Sequence, residues 1–144
     1  MAFTAEQMEA ALRAAGHRLT PQRRAIIQYL AATETHPTAR RIREEVGKTR
    51  PSLSLATVYN TLGTLLRLGL IKLLEFGEEN RVETNLTPHI NLVCTGCDRI
   101  IDFPEGKLYS PQDLLEKTGF QVLDFRLEYY GLCRDCREKG GRHG

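Results

Sequence analysis

The chain has 144 residues, 41% of them hydrophobic and 26% charged, a length that suits one domain or two small ones. No apolar run approaches the ~20 residues that span a bilayer, and the opening "MAFTAEQMEA" is acidic and amphipathic rather than signal-like, so a cytoplasmic protein with no membrane partner is expected. Net charge is only +2, but residues 1–72 carry eleven Lys/Arg against five Glu, and residues 73–144 nine against thirteen Asp/Glu, so the basic first half either meets a polyanion or is a solvated charged face.

Residues 4–15 predict an amphipathic helix with Met8 and Leu12 on one side and Gly16 to end it. "LTPQRRAIIQYLAA" predicts a second, with Thr20 as cap, Pro21 at the first helical position, and Ile26, Ile27 and Leu30 at helical spacing. Thr38 caps a third, "ARRIREEVGK", in which Ile42 and Val46 share a face. In "RPSLSLATVYNTLGTLLRLG", Ser52 or Ser54 caps a helix whose core stripe is Leu55, Val58, Leu62 and Leu65. Thr57, Asn60, Thr61 and Thr64 then make a polar, low-charge face, and Gly69 closes the helix. "LIKLLEF", "GEEN" and "RVETN" read as strand, turn and strand. Three of these helices in a row, the last with a small polar face, followed by a hairpin make a winged helix-turn-helix pattern. In such folds the last helix reads base edges in the major groove. Arg18, Arg23 and Arg24 precede it and could hold phosphates. The alternative is a helical bundle without nucleic acid.

Beyond residue 85, "INLVC", "RIIDF" and "FQVLDFRLEYYGLC" have strand composition, and "SPQDLLEKTG" has the capping pattern of one short helix. The expected class is α+β: a winged-helix DNA-binding domain over 1–84 and a small α/β dimerisation and metal-binding domain over 85–144. A domain that small needs a metal, a partner copy, or both. The tail "REKGGRHG", which holds His143, is expected to fray.

The four cysteines form two equal spacings, Cys94-x-x-Cys97 and Cys133-x-x-Cys136, each after a strand-like run. Together they can close a tetrahedral shell around structural Zn²⁺. That reading is preferred to a redox disulfide, which needs only one pair at a helix start. His36, His89, Glu83, Asn91 and Asp102 supply a harder N/O donor set, suited to Fe²⁺, Mn²⁺ or Zn²⁺. His89 and Asn91, two apart on a strand, share a face. Because these ligands come from both domains, metal binding would couple to DNA affinity. His17 lies between helices among basic residues. A catalytic metal with an open position would make the chain a hydrolase, but no nucleophile–base pair or phosphate loop accompanies it. A third reading keeps zinc for structure alone, with the histidines as bystanders.

"LTPQRRAII", "HPTA", "SLATVYNTL", "LGLI", "CTGCDRIIDF" and "YYGLCRDC" occur in an order that resembles the ferric uptake regulator family across nearly the whole chain. The resemblance is strongest to its peroxide-sensing branch, because Asn60 follows Tyr59 and an aspartate stands at 102. It implies a non-enzymatic, metal-dependent repressor, a homodimer bound to palindromic double-stranded operator DNA. It also implies structural Zn²⁺ on Cys94, Cys97, Cys133 and Cys136, and a regulatory Fe²⁺ or Mn²⁺, with Zn²⁺ as a substitute, on His36, Glu83, His89, Asn91 and Asp102. Arg18, Thr57, Tyr59 and Asn60 match positions that face DNA. The signal would be peroxide, oxidising His36 or His89, or alternatively the level of iron or another metal. Two positions depart from the pattern: Asn91 replaces a second histidine, and Glu83 replaces the aspartate of peroxide sensors. A further metal site of some iron sensors is not expected, since Ile90 and Phe125 occupy its positions.

Overall fold

The computed structural model describes residues 2–87, 89–104 and 110–139, and only the backbone of Phe76. The chain divides into two compact units, Met1–Thr87 and Pro88–Gly144. No helix among the described residues is long and apolar enough to cross a membrane.

In the first unit, helices α1 (Ala5–Ala14), α2 (Pro21–Ala32), α3 (Ala39–Gly47) and α4 (Leu55–Arg67) begin at Thr4, Thr20, Thr38 and Ser54. Each of these side chains accepts from the backbone N–H three residues on, so each helix satisfies one of its orphan donors at a chosen residue. Thr4 and Gln7 complete a reciprocal capping box. The antiparallel strands β1 (Lys72–Phe76) and β2 (Glu79–Glu83) follow. Phe76 faces Glu79 in register, so the turn is two residues, shorter than expected, and strand β2 starts earlier than "RVETN". Gly77 takes φ 58 at the first turn position, which suits a tight hairpin and which most side chains resist.

Met8, Leu12, Ile26, Ile27, Leu30, Ile42, Val58 and Leu65 are fully buried in one core, which Val82 of the wing joins. Each such side chain contributes roughly 1.5–3 kcal/mol of transfer free energy. We expect Leu65→Ala to cost about 2–5 kcal/mol, read as a lowered urea midpoint for the first unit with its helical signal intact beforehand.

Helix α4 corrects one expectation. Thr61 and Thr64 belong to the core rather than a polar face, at 0% and 2% exposure. Their hydroxyls donate to the carbonyls of Thr57 (2.8 Å) and Asn60 (3.2 Å), so burial leaves no donor unmet. Leu55 is only partly buried.

The second unit is a three-stranded sheet of order β4-β3-β5, with β3 His89–Cys94, β4 Ile100–Pro104 and β5 Glu128–Gly131. Strand β4 is antiparallel to β3 and β5 is parallel to it. Helix α5 (Pro111–Thr118) has the expected Ser110 cap and ends on Gly119 at φ 75, a left-handed C-cap that glycine adopts without strain. The long strand expected over "FQVLDFRLEYYGLC" is a correction: residues 120–127 are outside any ladder and only Glu128–Gly131 pairs. Phe120 and Leu123 in that stretch are 65% and 89% exposed, so composition alone could not supply a partner strand. A short helix α6 (Arg134–Glu138) was not expected and takes in the start of the supposed frayed tail. Residues 140–144, including His143, lie outside the described residues.

Candidate metal centres and nucleic-acid interface

Cys94 ends β3, and Cys97 follows in a turn closed by the Asp98 N–H donating to the Cys94 carbonyl at 2.9 Å. Cys133 is the N-cap residue of α6 and Cys136 lies within that helix. Gly131 of β5 stands opposite Cys94 of β3, and the strands are parallel, so both cysteine pairs leave the sheet at one end. The Thr95 N–H and hydroxyl both donate to the Gly131 carbonyl, at 2.8 and 3.2 Å, and fasten the two segments together. Topology thus closes a separation that is long in sequence.

The four sulfurs lie within 4.8 Å of one another, with Cys97 and Cys133 at 3.8 Å. A tetrahedral Zn²⁺ with Zn–S near 2.3 Å separates its ligands by about 3.8 Å, so the cluster fits one such ion. All four thiols are free of disulfides. The second pair does begin a helix, as a redox pair would, but the first pair surrounds it. The Cys133 N–H donates to the Cys94 sulfur at 3.3 Å, and this bond chiefly holds that thiol down at about 6. Burial, followed by hydrogen bonding among the sulfurs, pushes Cys136 up to about 12. These opposite directions are consistent: one negative charge enters the cluster easily, and further ones need a cation to neutralise them.

The nitrogen and oxygen donors are described unit by unit. In the first unit, His36 lies in the α2–α3 loop and Glu83 ends β2. The Val82 N–H donates to the Pro37 carbonyl (2.9 Å) and the Arg81 guanidinium to the His36 carbonyl (3.2 Å), docking the loop on the wing. His36 Nε2 then sits 3.4 Å from Glu83 Oε2, both residues buried. In the second unit, His89 Nε2 lies 3.1 Å from Asn91 Oδ1 and 3.5 Å from Asp102 Oδ1. Asn91 and Asp102 are register partners on adjacent strands. His89 and Asn91 face one side of β3, whereas Cys94 falls on the alternate side. Ile90 is buried and Phe125 partly so, and neither side chain can coordinate.

On the first unit, Arg18, Thr20, Arg23, Arg50, Thr57 and Asn60 line a cleft of about 600 Å³ beside α4. Tyr59 is 54% exposed on the same helix and Asn60 is exposed. The Arg23 guanidinium donates to the Arg18 carbonyl, which pins its charge at the cleft. Arg24 instead pairs with Glu9 of α1 at 3.1 Å. Arg50 escaped the sequence reading. Its signal was a cation just ahead of Pro51 and the Ser54 cap of the helix expected to read bases. A concave cationic surface beside exposed hydroxyl, phenol and amide groups can take a phosphate backbone and offer base contacts.

The sequence profile of the ferric uptake regulator family matches residues 14–130. The chain belongs to the ferric uptake regulator family. As a member of it, the chain is 38% identical over 137 residues to the peroxide-responsive repressor PerR of Staphylococcus epidermidis, spanning 94% of this chain and 91% of that one. Among solved structures it is similar to PerR from Streptococcus pyogenes, with TM-score 0.53, 31% identity, and 94% and 95% of the two chains covered. It also shares the fold of the Helicobacter pylori ferric uptake regulator Fur, a protein described with three functional metal-binding sites, at TM-score 0.79, 20% identity, and 94% and 95% coverage. The relatives of this family member are transcriptional regulators and not enzymes, so the hydrolase reading falls.

Proposed function

We propose that the chain is a cytoplasmic, homodimeric, metal-dependent repressor that binds palindromic operator DNA and releases it on exposure to peroxide. Structural Zn²⁺ is held by Cys94, Cys97, Cys133 and Cys136. The regulatory Fe²⁺ or Mn²⁺, which Zn²⁺ can replace, is held by His36, Glu83, His89 and Asp102, with Asn91 beside them. The observation that carries this reading is that the donor set divides into His36–Glu83 at 3.4 Å and His89–Asp102 at 3.5 Å, each pair held by its own backbone hydrogen-bonding pattern. Tyr59 and Asn60 read bases, while Arg18, Arg23, Arg50 and Thr57 hold the phosphate backbone. Homodimer formation is supported by the apolar side chains Ile101, Phe103, Tyr129 and Tyr130, which are 40–61% exposed on a sheet too small to be stable alone.

When bound, Fe²⁺ would activate H₂O₂ by one-electron chemistry, the two electrons of the net reaction coming from an imidazole. The residues' part is to hold an imidazole close enough to be oxidised in its place. The net change inserts one oxygen atom into an imidazole C–H and leaves water, and the altered ring no longer orients its nitrogen as before. Loss of one ligand then weakens the coupling between metal and DNA. Treating the Fe²⁺-loaded protein with low H₂O₂ should add one oxygen to a peptide carrying His36 or His89 and abolish operator binding. The Mn²⁺-loaded protein should remain unmodified. An unmodified Fe²⁺ protein that keeps its DNA would instead favour regulation by metal level, the reading that Glu83 leans towards.

A further inference from the structure

The second unit's donors gather about His89. His89 Nε2 is 3.1 Å from Asn91 Oδ1 and 3.5 Å from Asp102 Oδ1. Asn91 is 6% exposed, and its cross-strand partner is Asp102. Two ligands at right angles, each ~2.2 Å from one ion, stand ~3.1 Å apart. The imidazole and the amide oxygen are therefore spaced like neighbouring ligands of a six-coordinate ion, with the carboxylate wider from the imidazole, at 3.5 Å against 3.1 Å.

We propose that Asn91 is a metal ligand through Oδ1 and sets the metal selectivity of this site, shifting it away from Zn²⁺ and towards Mn²⁺ and Fe²⁺. This rests on the regulatory-metal reading above. Amide oxygen and imidazole nitrogen are both neutral, so exchanging one for the other leaves the charge of the site unchanged. Only donor softness changes. Imidazole suits the later metals, whereas carbonyl and carboxylate oxygens suit Mn²⁺. Replacing an imidazole by an amide oxygen flattens the rise in affinity from Mn²⁺ to Zn²⁺. The site keeps useful Mn²⁺ or Fe²⁺ affinity without being captured by Zn²⁺, which the Cys₄ cluster binds better.

The test uses the full-length protein with its cysteine-bound metal in place. Wild type, Asn91→His, Asn91→Ala and His89→Ala are titrated separately with Mn²⁺ and Zn²⁺ against a chelator of known affinity. Free Mn²⁺ is followed by electron paramagnetic resonance, and thermal unfolding checks that each variant is folded. Asn91→His should raise Zn²⁺ affinity about tenfold or more beyond any gain for Mn²⁺, and Asn91→Ala should lower Mn²⁺ affinity by about tenfold. Equal changes for both metals in Asn91→His, or unchanged Mn²⁺ affinity in Asn91→Ala, overturn the proposal while His89→Ala still loses Mn²⁺. Should His89→Ala bind Mn²⁺ as wild type does, the regulatory-site reading itself fails, and this proposal with it.

Discussion

Cys133→Ser should empty the second unit of its structural metal and unfold that unit while leaving the first unit folded. The reason lies in how little else holds it. Among its described residues the buried apolar ones are Ile90, Val93 and the three cysteines Cys94, Cys133 and Cys136, and helix α5 buries none. The cysteines, with Leu132 against them, are themselves the unit's core cluster. Structural Zn²⁺ contributes on the order of 10–16 kcal/mol at neutral pH in small zinc-folded peptides. That exceeds what a sheet this small obtains from apolar burial. With one thiolate of four lost and no ion held, the remaining thiols take up protons and nothing ties the two cysteine pairs together. Metal content by elemental analysis should fall by one Zn²⁺ per chain. Limited proteolysis should then digest residues beyond Thr87 while sparing the helical unit before it. A Cys133→Ser protein that keeps wild-type protease resistance and dimerises would remove the case for a structural metal.

His89→Ala should abolish the response of operator affinity to Mn²⁺ without changing the affinity of the metal-free protein. Coupling between two ligand sites is commonly worth about 1–3 kcal/mol, or roughly 5–150-fold in affinity. His89 contributes the nitrogen in its half of the donor set, with Asn91 and Asp102 converging on it. Removing it takes away one of the two imidazole donors of the proposed site and leaves the coordination shell incomplete. Asn60→Ala should do the reverse. It lies on the exposed face of α4 beside the cationic cleft, so operator affinity should drop by about 1–3 kcal/mol with the Mn²⁺ response preserved. The contrast is read by fluorescence anisotropy on a labelled duplex. Loss of both properties in either variant would mean that misfolding, not the stated role, explains the effect.

The helices of the first unit were legible because their signals are local. Thr20 and Thr38 cap at the residues expected of them, Ser54 is one of the two candidates offered, and Ile26, Ile27 and Leu30 repeat at the period of a helix. Thr61 and Thr64 were misread for a related reason. A hydroxyl reads as polar in sequence, but on a helix it can return its proton to the carbonyl one turn back and be buried. In the second unit, residues 120–127 have strand composition without a strand partner, and partner choice is a tertiary fact. The cysteine spacing announced a tetrahedral cluster, yet only the parallel pairing of β3 with β5 brings Cys94 level with Gly131 and so joins the pairs. Arg50 carried only a weak signal, a cation ahead of the helix cap: its loop is irregular, and only the fold carries it to Arg18 and Arg23. His89 and Asn91 could be placed on one strand face from spacing, but their convergence with Asp102 needed the register of β4.

The central claim is that metal held by the N/O donors controls DNA affinity, and one titration tests it most directly. Protein with its cysteine-bound zinc in place is mixed with a labelled palindromic duplex, and Mn²⁺ is added at constant protein and salt. The account predicts that operator affinity rises by about fivefold or more and saturates at one Mn²⁺ per chain. An affinity that stays constant while Mn²⁺ binding saturates would contradict it.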